Sequence, residues 1–334
     1  MKFLIAGLGS IGRRHMHNLL ALGQREIILY RTHRSTLPDD DLISYPTETS
    51  LDKAISYKPD AVIISNPTSL HLEVAIPAAL AGCHLLLEKP ISHSMEGVDE
   101  LCKAVEIGGG KVLVGYQYRF HPGLMKVKEL LINGAIGRPL SVRAHWGEYL
   151  PGWHPWEDYR GSYSARADLG GGVILTLSHP LDYLLWLFGD VEEVWAFSGS
   201  LGDLELDVED TPEIGLRFPN GVMGSVHLDY IQQPPSHHLF VMGSGGQIVW
   251  DYSSGCVKWY QNGVDDWQTW HQPENFGRSD MFLSQMKHFL AVIRGEVSSV
   301  CSLGVGIRSL QVALAAHESA RTKELVYLGD ANRR

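Results

Sequence analysis

The sequence specifies a two-domain protein: an amino-terminal α/β domain on a parallel sheet, then an α+β domain on a large, mostly antiparallel open sheet. Three observations predict this. Up to about Tyr118, short unbroken apolar runs alternate with amphipathic helical stretches; strands of that kind, separated by helices, are buried on both faces of a parallel sheet. Beyond residue 135 the rhythm changes to longer strands of period two, separated by turns such as Pro219-Asn220-Gly221. The chain of 334 residues is also longer than one ordinary core supports. The boundary is placed between residues 120 and 121, giving domains 1–120 and 121–334.

In the first domain the expected order is FLIAG (3–7), a helix over 11–22, EIILY (26–30), a helix near 51–57 and AVIIS (61–65). A helix over 70–81, HLLLE (84–88), a helix over 96–107 and KVLVG (111–115) complete it. The second domain offers PLSVRAHWGEYL, VEEVWAFSGSL, TPEIGLRF, NGVMGSVHLDYI and GQIVWDY as strands. Helices near 173–188, 280–294 and 303–320 are expected on one face of that sheet.

Composition narrows the function classes. The net charge is −10 and no basic run occurs, which argues against a nucleic acid or an anionic membrane as partner. No apolar stretch approaches the ~18 residues that span a bilayer. The opening MKFLIAGLGSIG has a short apolar run but no cleavage-site pattern. Cys83, Cys102, Cys256 and Cys301 are scattered, without C-x-x-C spacing. A reducing cytoplasm is therefore expected, and no metal site.

The sharpest local signal is Gly7-x-Gly9-x-x-Gly12, directly after a strand and opening a helix. Gly7 permits the tight turn, Gly9 lets a pyrophosphate approach the backbone, and Gly12 lets helix and strand pack closely. With Ser10 and Ile11 the helix start supplies amides and the positive dipole end, so a dinucleotide is expected here. The fingerprint asks for an acidic residue about 20 positions on, to hold the ribose hydroxyls. The sequence instead has Arg31, Thr32, His33 and Arg34 there. A guanidinium suits a 2′-phosphate and cannot accept hydrogen bonds from a diol, which favours NADP, with NAD as the alternative.

Taken in order, GLGSIG, SNPTSLH (65–71), EKP (88–90), GYQYRFHPG (115–123) and GGGVILTLSHPLD (170–182) resemble the Gfo/Idh/MocA oxidoreductases over essentially the whole chain. The resemblance implies a Rossmann domain followed by an open-sheet α/β domain, and NAD(P)-dependent chemistry on a hydroxyl or ketone of a sugar, cyclitol or nucleotide sugar. It implies that Asn66, Pro67, Thr68 and His71 line the cofactor, with Glu88, Lys89 and Gln117. Lys89, at the mouth of a sheet strand, would hold the reacting oxygen and stabilise negative charge there. The Lys89–Pro90 peptide is a candidate for a cis bond.

The second half of the implied catalytic set lies in the 170–182 segment. Thr176, His179 and Asp182 fall three apart, on one edge of an expected helix. His179 is the candidate acid/base because an imidazole titrates near working pH. The family commonly has Asp where Thr176 stands, and often one residue more before the His. Threonine cannot act as an anionic base, and Asp182 is the candidate to compensate. Tyr118 and Arg119 point toward the substrate, and Trp153, Tyr163 and Arg166 sit in a segment rich in Trp, Tyr and Arg, with Arg160 nearby. Indole faces stack on sugar rings, and an arginine forks onto a carboxylate or phosphate.

Two other readings compete with a sugar dehydrogenase: a non-catalytic NADP-binding sensor, which Thr176 favours, and a glycosidase that oxidises its sugar transiently. Similarity to members linked with surface polysaccharides points the substrate toward that metabolism. An open sheet with helices on one face leaves the other to be covered, so a homo-oligomer, dimer or tetramer, is expected.

Overall fold

The structure, a computed structural model, describes residues 1–32 and 37–329. The chain divides into two compact units. The first comprises Met1–Gln117, Asp168–Gly170 and Arg278–Leu310; the second comprises Tyr118–Ala167, Gly171–Gly277 and Gln311–Arg334.

The first unit is built on β1 (Lys2–Ala6), β2 (Glu26–Tyr30), β3 (Thr47–Glu48), β4 (Ala61–Ile64), β5 (His84–Leu87) and β6 (Val112–Val114). All pair in parallel, in the order β3-β2-β1-β4-β5-β6. The apolar runs are strands because both faces are covered: Phe3 to Ala6, Ala61 to Ile64 and Leu85 to Leu87 have no exposed surface. The helices are α1 (Ser10–Ala21), α2 (Leu51–Ser56), α3 (His71–Leu80) and α4 (Val98–Gly108). The chain order reverses between β1 and β4, which is where open α/β sheets place their ligands.

The second unit contains α5 (Pro122–Ile132), β7 (Pro139–Tyr149), α6 (Val173–Thr176), α7 (His179–Phe188) and β8 (Glu193–Gly199). Then come β9 (Thr211–Arg217), β10 (Met223–Asp229), β11 (Ile231–Gly243), β12 (Gly246–Asp251), β13 (Cys256–Gln261) and β14 (Gln268–His271). With β15 (Val326–Tyr327) they form one nine-stranded sheet in the order β14-β13-β12-β11-β7-β10-β9-β8-β15. Only β7 and β10 pair in parallel among its described ladders. The mostly antiparallel open sheet is as expected.

Three differences from the sequence reading have physical causes. Residues 168–170 and 278–310 pack with the first unit, not the second. This carries α8 (Arg278–Arg294) and the start of α9 (Leu303–Thr322) to the parallel sheet, where Phe282 meets the His15 ring edge-on at 6.0 Å and lies under the Arg14 guanidinium. Next, the helix expected over 173–188 breaks at Leu177 and Ser178. Pro180 has no N–H for the Thr176 carbonyl and its ring crowds that group, so it is tolerated only in the first turn of α7. Thr176, His179 and Asp182 are therefore not on one edge of one helix. Finally, β11 lies outside the expected strands, and its first half carries Pro234 and Pro235, which donate nothing to a ladder. Its pairing with β7 jumps from Ile231↔Tyr149 to Ser236↔Gly147, and the ladder skips that stretch.

Candidate active site

In the first unit the glycine turn has the conformation a phosphate loop needs. Gly7 has φ +90°, and a Cβ there would lie 2.5 Å from the Asn66 amide nitrogen. A Cβ on Gly12 would lie 1.9 Å from the Gly7 carbonyl oxygen, so only glycine allows α1 to start this close to β1. Gly9 is different: nothing lies within 4 Å of the place its Cβ would take. Gly9 also caps α1 without a side-chain hydrogen bond, and Ser10 is exposed beside it. Open space in front of uncapped helix amides fits a pyrophosphate.

Ser65 braces this turn from the end of β4 by donating to the Gly7 carbonyl at 2.9 Å. The segment after it is knitted together. Asn66 donates from Nδ2 to the Leu70 carbonyl at 2.8 Å, and the His71 ring lies between the Pro90 and Asn66 carbonyls at 2.9 and 3.0 Å. His71 is 1% exposed, so it is a strut joining the β4 loop to the EKP turn. Thr68 is buried as well, while Pro67 is half-buried.

The EKP turn follows β5. The Lys89–Pro90 peptide is cis. The Glu88 carboxylate is buried, pairs with His15 Nε2 at 2.8 Å and accepts from the Lys89 amide at 3.3 Å. Burial acts to raise this carboxyl, but the His15 hydrogen bond and the nearby Lys89 charge bring it below its ordinary value. A Cβ on Gly115 would sit 2.9 Å from both Glu88 oxygens, so the glycine after β6 makes room for this group. Glu88 is thus an internal brace that holds the backbone of half-buried Lys89. Gln117 is buried near the end of this unit.

At the end of β2, Arg31 is buried and donates from Nη1 to Asp39 Oδ1 at 2.7 Å. Thr32 is exposed. Arg34 lies outside the described residues. Sequence reasoning missed Asp39: the acceptor that the fingerprint lacks at position 31 arrives eight residues later, on the guanidinium itself.

In the second unit Tyr118 stands within a group of rings. Its centroid is 4.8 Å from His179, 5.0 Å from His237 and 5.3 Å from Trp146. His179 opens α7 and is 2% exposed. Asp182, one turn on, is committed elsewhere: Arg119 donates to both its oxygens, Nε to Oδ2 at 2.9 Å and Nη2 to Oδ1 at 2.8 Å. The side chains are only 4% and 1% exposed. This buried fork makes Arg119 and Asp182 each other's partner. Thr176 ends α6 against the Tyr230 phenol, whose pKa burial pushes well above its ordinary value.

A carboxylate not singled out by the sequence lies close to Thr176. Glu209 accepts from the Ile174 amide at 3.0 Å, and a Cβ on Gly172 would meet its oxygens at 2.5 Å. Burial pushes its pKa up, against the pull of His317 at 3.8 Å. No sequence signal marks Glu209, which precedes β9 in an ordinary acidic turn. Of the aromatic segment, Trp153 is half-buried edge-on to Tyr230, whereas Tyr163 and Arg166 are exposed. Arg160 is exposed and pairs with Glu205 at 3.1 Å.

Comparison with known proteins agrees with these features. Residues 1–116 match the oxidoreductase family with NAD-binding Rossmann fold, and residues 124–249 match the GFO/IDH/MocA C-terminal domain. A myo-inositol 2-dehydrogenase of Thermotoga maritima is 31% identical over 242 residues, covering 68% of this chain and 67% of its own. Among solved structures, a levoglucosan dehydrogenase in complex with NADH and levoglucosan superposes with a TM-score of 0.85 at 21% identity, covering 99% of this chain and 100% of that one. The WlbA dehydrogenase from Bordetella pertussis, in complex with NADH and UDP-GlcNAcA, gives 0.81 at 24% identity, covering 98% and 99%. With both of its domains matched in order, the chain belongs to the Gfo/Idh/MocA family and is an NAD(P)-dependent oxidoreductase.

Proposed function

We propose that this enzyme moves a hydride between nicotinamide and the carbinol or ketone carbon of a sugar, cyclitol or nucleotide sugar, with a role in surface-polysaccharide metabolism. The observation that carries the reading is Lys89, held half-buried at the carboxyl end of β5 by a turn whose Glu88 is anchored on His15. The glycine turn and the α1 amides would hold the dinucleotide phosphates, with Asn66 and Gln117 on the same unit. The nicotinamide, when bound, supplies or accepts the hydride. Lys89 Nζ donates a hydrogen bond to the reacting oxygen and steadies negative charge on it. His179 takes the hydroxyl proton during oxidation and returns it during reduction. Trp153, Tyr163 and Arg166, with Tyr118, contact the sugar, while Arg119 and Asp182 hold α7 in place.

Removing Lys89 or His179 lowers turnover by roughly 10²–10⁴-fold with cofactor affinity little changed. Lys89→Ala and His179→Ala, assayed with a panel of sugars, cyclitols and nucleotide sugars, test this. Full turnover in either variant overturns the assignment. Thr176 supports a second reading, a non-catalytic NADP-binding sensor. Absence of turnover across the whole panel, with cofactor and a sugar both bound, would favour it.

The finer cofactor reading is NADP(H) over NAD(H), because the Arg31 guanidinium stands at the end of β2, where exchanging Asp39 for a 2′-phosphate would keep it paired. A charge-assisted contact to phosphate contributes on the order of 1.5–3 kcal/mol, about 10-fold or more in affinity. Calorimetric titration of both cofactors against the protein and Arg31→Ala decides it. Equal affinities, or no effect of the substitution, sink the preference.

The assembly reading is a homo-oligomer, dimer or tetramer. Its support is the row of Trp195, Phe197, Met223 and Met242 on the second sheet, 36 to 64% exposed. Monomeric mass by light scattering contradicts it. Among the described residues no helix is long and apolar enough to cross a membrane, and the four cysteines are free thiols. A cytoplasmic location is part of the same proposal.

A further inference from the structure

On the nine-stranded sheet, β7 and β10 run parallel with His145 opposite His227 and Gly147 opposite Asp229. Residues two apart on a strand share a face, so these four positions make a rectangle on one side of the sheet. Three corners carry metal-ligating groups and the fourth is a glycine. One donor atom from each of His145, His227 and Asp229 lies within 4.8 Å of the others. His227 Nε2 is 3.0 Å from Asp229 Oδ2.

The glycine corner is what makes the rectangle a cradle. A Cβ on Gly147 would lie 2.2 Å from Asp229 Oδ2 and 2.1 Å from Gln232 Oε1, so both oxygens converge on the space it leaves. The same Gln232 oxygen is 2.7 Å from His145 Nε2. Two imidazoles, a carboxylate oxygen and an amide oxygen thus surround one small volume.

The surroundings hold the donors close together, and the near-parallel His145 and His227 rings need only turn about their own side-chain bonds to face one ion. Glu213 Oε1 meets His227 Nδ1 at 2.7 Å, an outer contact that leaves Nε2 as ligand once a metal ion replaces the proton between Nε2 and Asp229 Oδ2. Asp229 Oδ1 is occupied by the Ile231 and Gln232 amides at 2.9 and 2.7 Å, which turns Oδ2 inward. His238 stacks on His145 at 4.8 Å, and His145 on His227 at 4.6 Å. Asp229 is 3% exposed, and a buried carboxylate calls for a cationic partner.

We propose that His145, His227 and Asp229, with Gln232 or water as fourth donor, bind a divalent transition-metal ion on the face of the second unit's sheet. Two imidazoles and one carboxylate suit zinc, cobalt or nickel better than calcium or magnesium, which prefer all-oxygen shells. Ligand bonds of about 2.0–2.2 Å require the donors to close by roughly an ångström, a movement of side chains on fixed strands. The rival occupant of the cradle is a proton: an imidazolium at His227 between Glu213 and Asp229.

The test is titration of the chelator-treated full chain with zinc chloride by calorimetry, and with cobalt chloride by visible absorption. One equivalent should bind, with ligand-field bands of a four- or five-coordinate cobalt site. His145→Ala and His227→Ala should each weaken this binding at least about 10-fold, and Glu213→Gln, which touches no metal, by about 10–100-fold. Gly147→Ala, which fills the cradle without removing a donor, should abolish it. Wild-type protein that binds neither ion, or binds with unchanged affinity in correctly folded His145→Ala and His227→Ala variants, leaves only the protonated pair and overturns the proposal. The wild-type cobalt spectrum keeps the test decisive even if a variant fails to fold.

Discussion

Asp182→Asn separates a structural carboxylate from a catalytic one. In the native protein Arg119 makes two parallel hydrogen bonds to Asp182, at 2.9 and 2.8 Å, with side-chain exposures of 4% and 1%. At that separation the gross attraction is about 6 kcal/mol for an effective dielectric constant near 20. The asparagine keeps one acceptor, turns an N–H₂ group toward the guanidinium, and leaves a buried cation without its counter-charge. Breaking one side of such a pair costs about 3–5 kcal/mol. The Trp186 ring, 5.8 Å from the guanidinium, gives the stranded cation some relief, which places the cost near the lower end. About 3 kcal/mol corresponds to a fall in melting temperature of roughly 6–12 °C for a domain of this size. Calorimetry measures it, and the double replacement Arg119→Met with Asp182→Leu should recover most of the loss, since apolar isosteres remove both desolvation costs. A single variant within about 1 kcal/mol of the native stability but with turnover down 10²-fold would refute the reasoning and return Asp182 to the chemistry.

Two further outcomes follow from buried groups. His121 caps α5 by accepting from the Gly123 amide at 3.0 Å, among the rings of Tyr118, Trp250, Tyr252 and Phe276, and burial pulls its pKa down to about 4. Because the unfolded chain takes up a proton near 6.5 and the folded chain only near 4, stability falls by about 3 kcal/mol as pH drops through that window. His121→Asn keeps the acceptor and removes the titration, so the stability difference between the two proteins should shift by that amount between pH 7 and 4; a constant difference sinks the claim. Gly12→Ala puts a Cβ 1.9 Å from the Gly7 carbonyl oxygen, and should cost about 1–3 kcal/mol of stability and most cofactor binding, read by melting and by titration. Native affinity in that variant would mean the turn is not the phosphate site.

The parts of the fold legible in sequence are those where a local pattern has one physical solution. An apolar run such as His84–Leu87 between amphipathic helices has only a doubly covered parallel sheet to go to, and the Gly7 turn admits no other residue. The allegiance of α8 was not legible, since an amphipathic helix records that it packs but not against which sheet. The break between α6 and α7 could have been read from Pro180, four residues after Thr176. At the site, Lys89 and the glycines are local signals. Arg119 and Asp182 are 63 residues apart, and only the tertiary fold shows that each neutralises the other. Glu209, Asp39 and the His145 row likewise owe their partners to the folded chain and not to neighbouring sequence.

Titration in the second unit leads to a last prediction. Burial pulls His237 well below its ordinary value and His121 to about 4, so neither exchanges protons near neutrality. Burial pushes the Tyr183 and Tyr230 phenols up, away from the same range. Asp182 has its charge matched by Arg119, and Thr176 carries none. These groups around α6 and α7 thus each keep one protonation state, and in the proposed mechanism the proton is carried by the His179 imidazole. Turnover against pH should therefore show a limb from one imidazole-like ionisation, and the residual turnover of His179→Ala should lack it. If the limb persists at the same pH in that variant, the proton is carried by another group, with Glu209 the first to replace, since burial raises its carboxyl above the ordinary value.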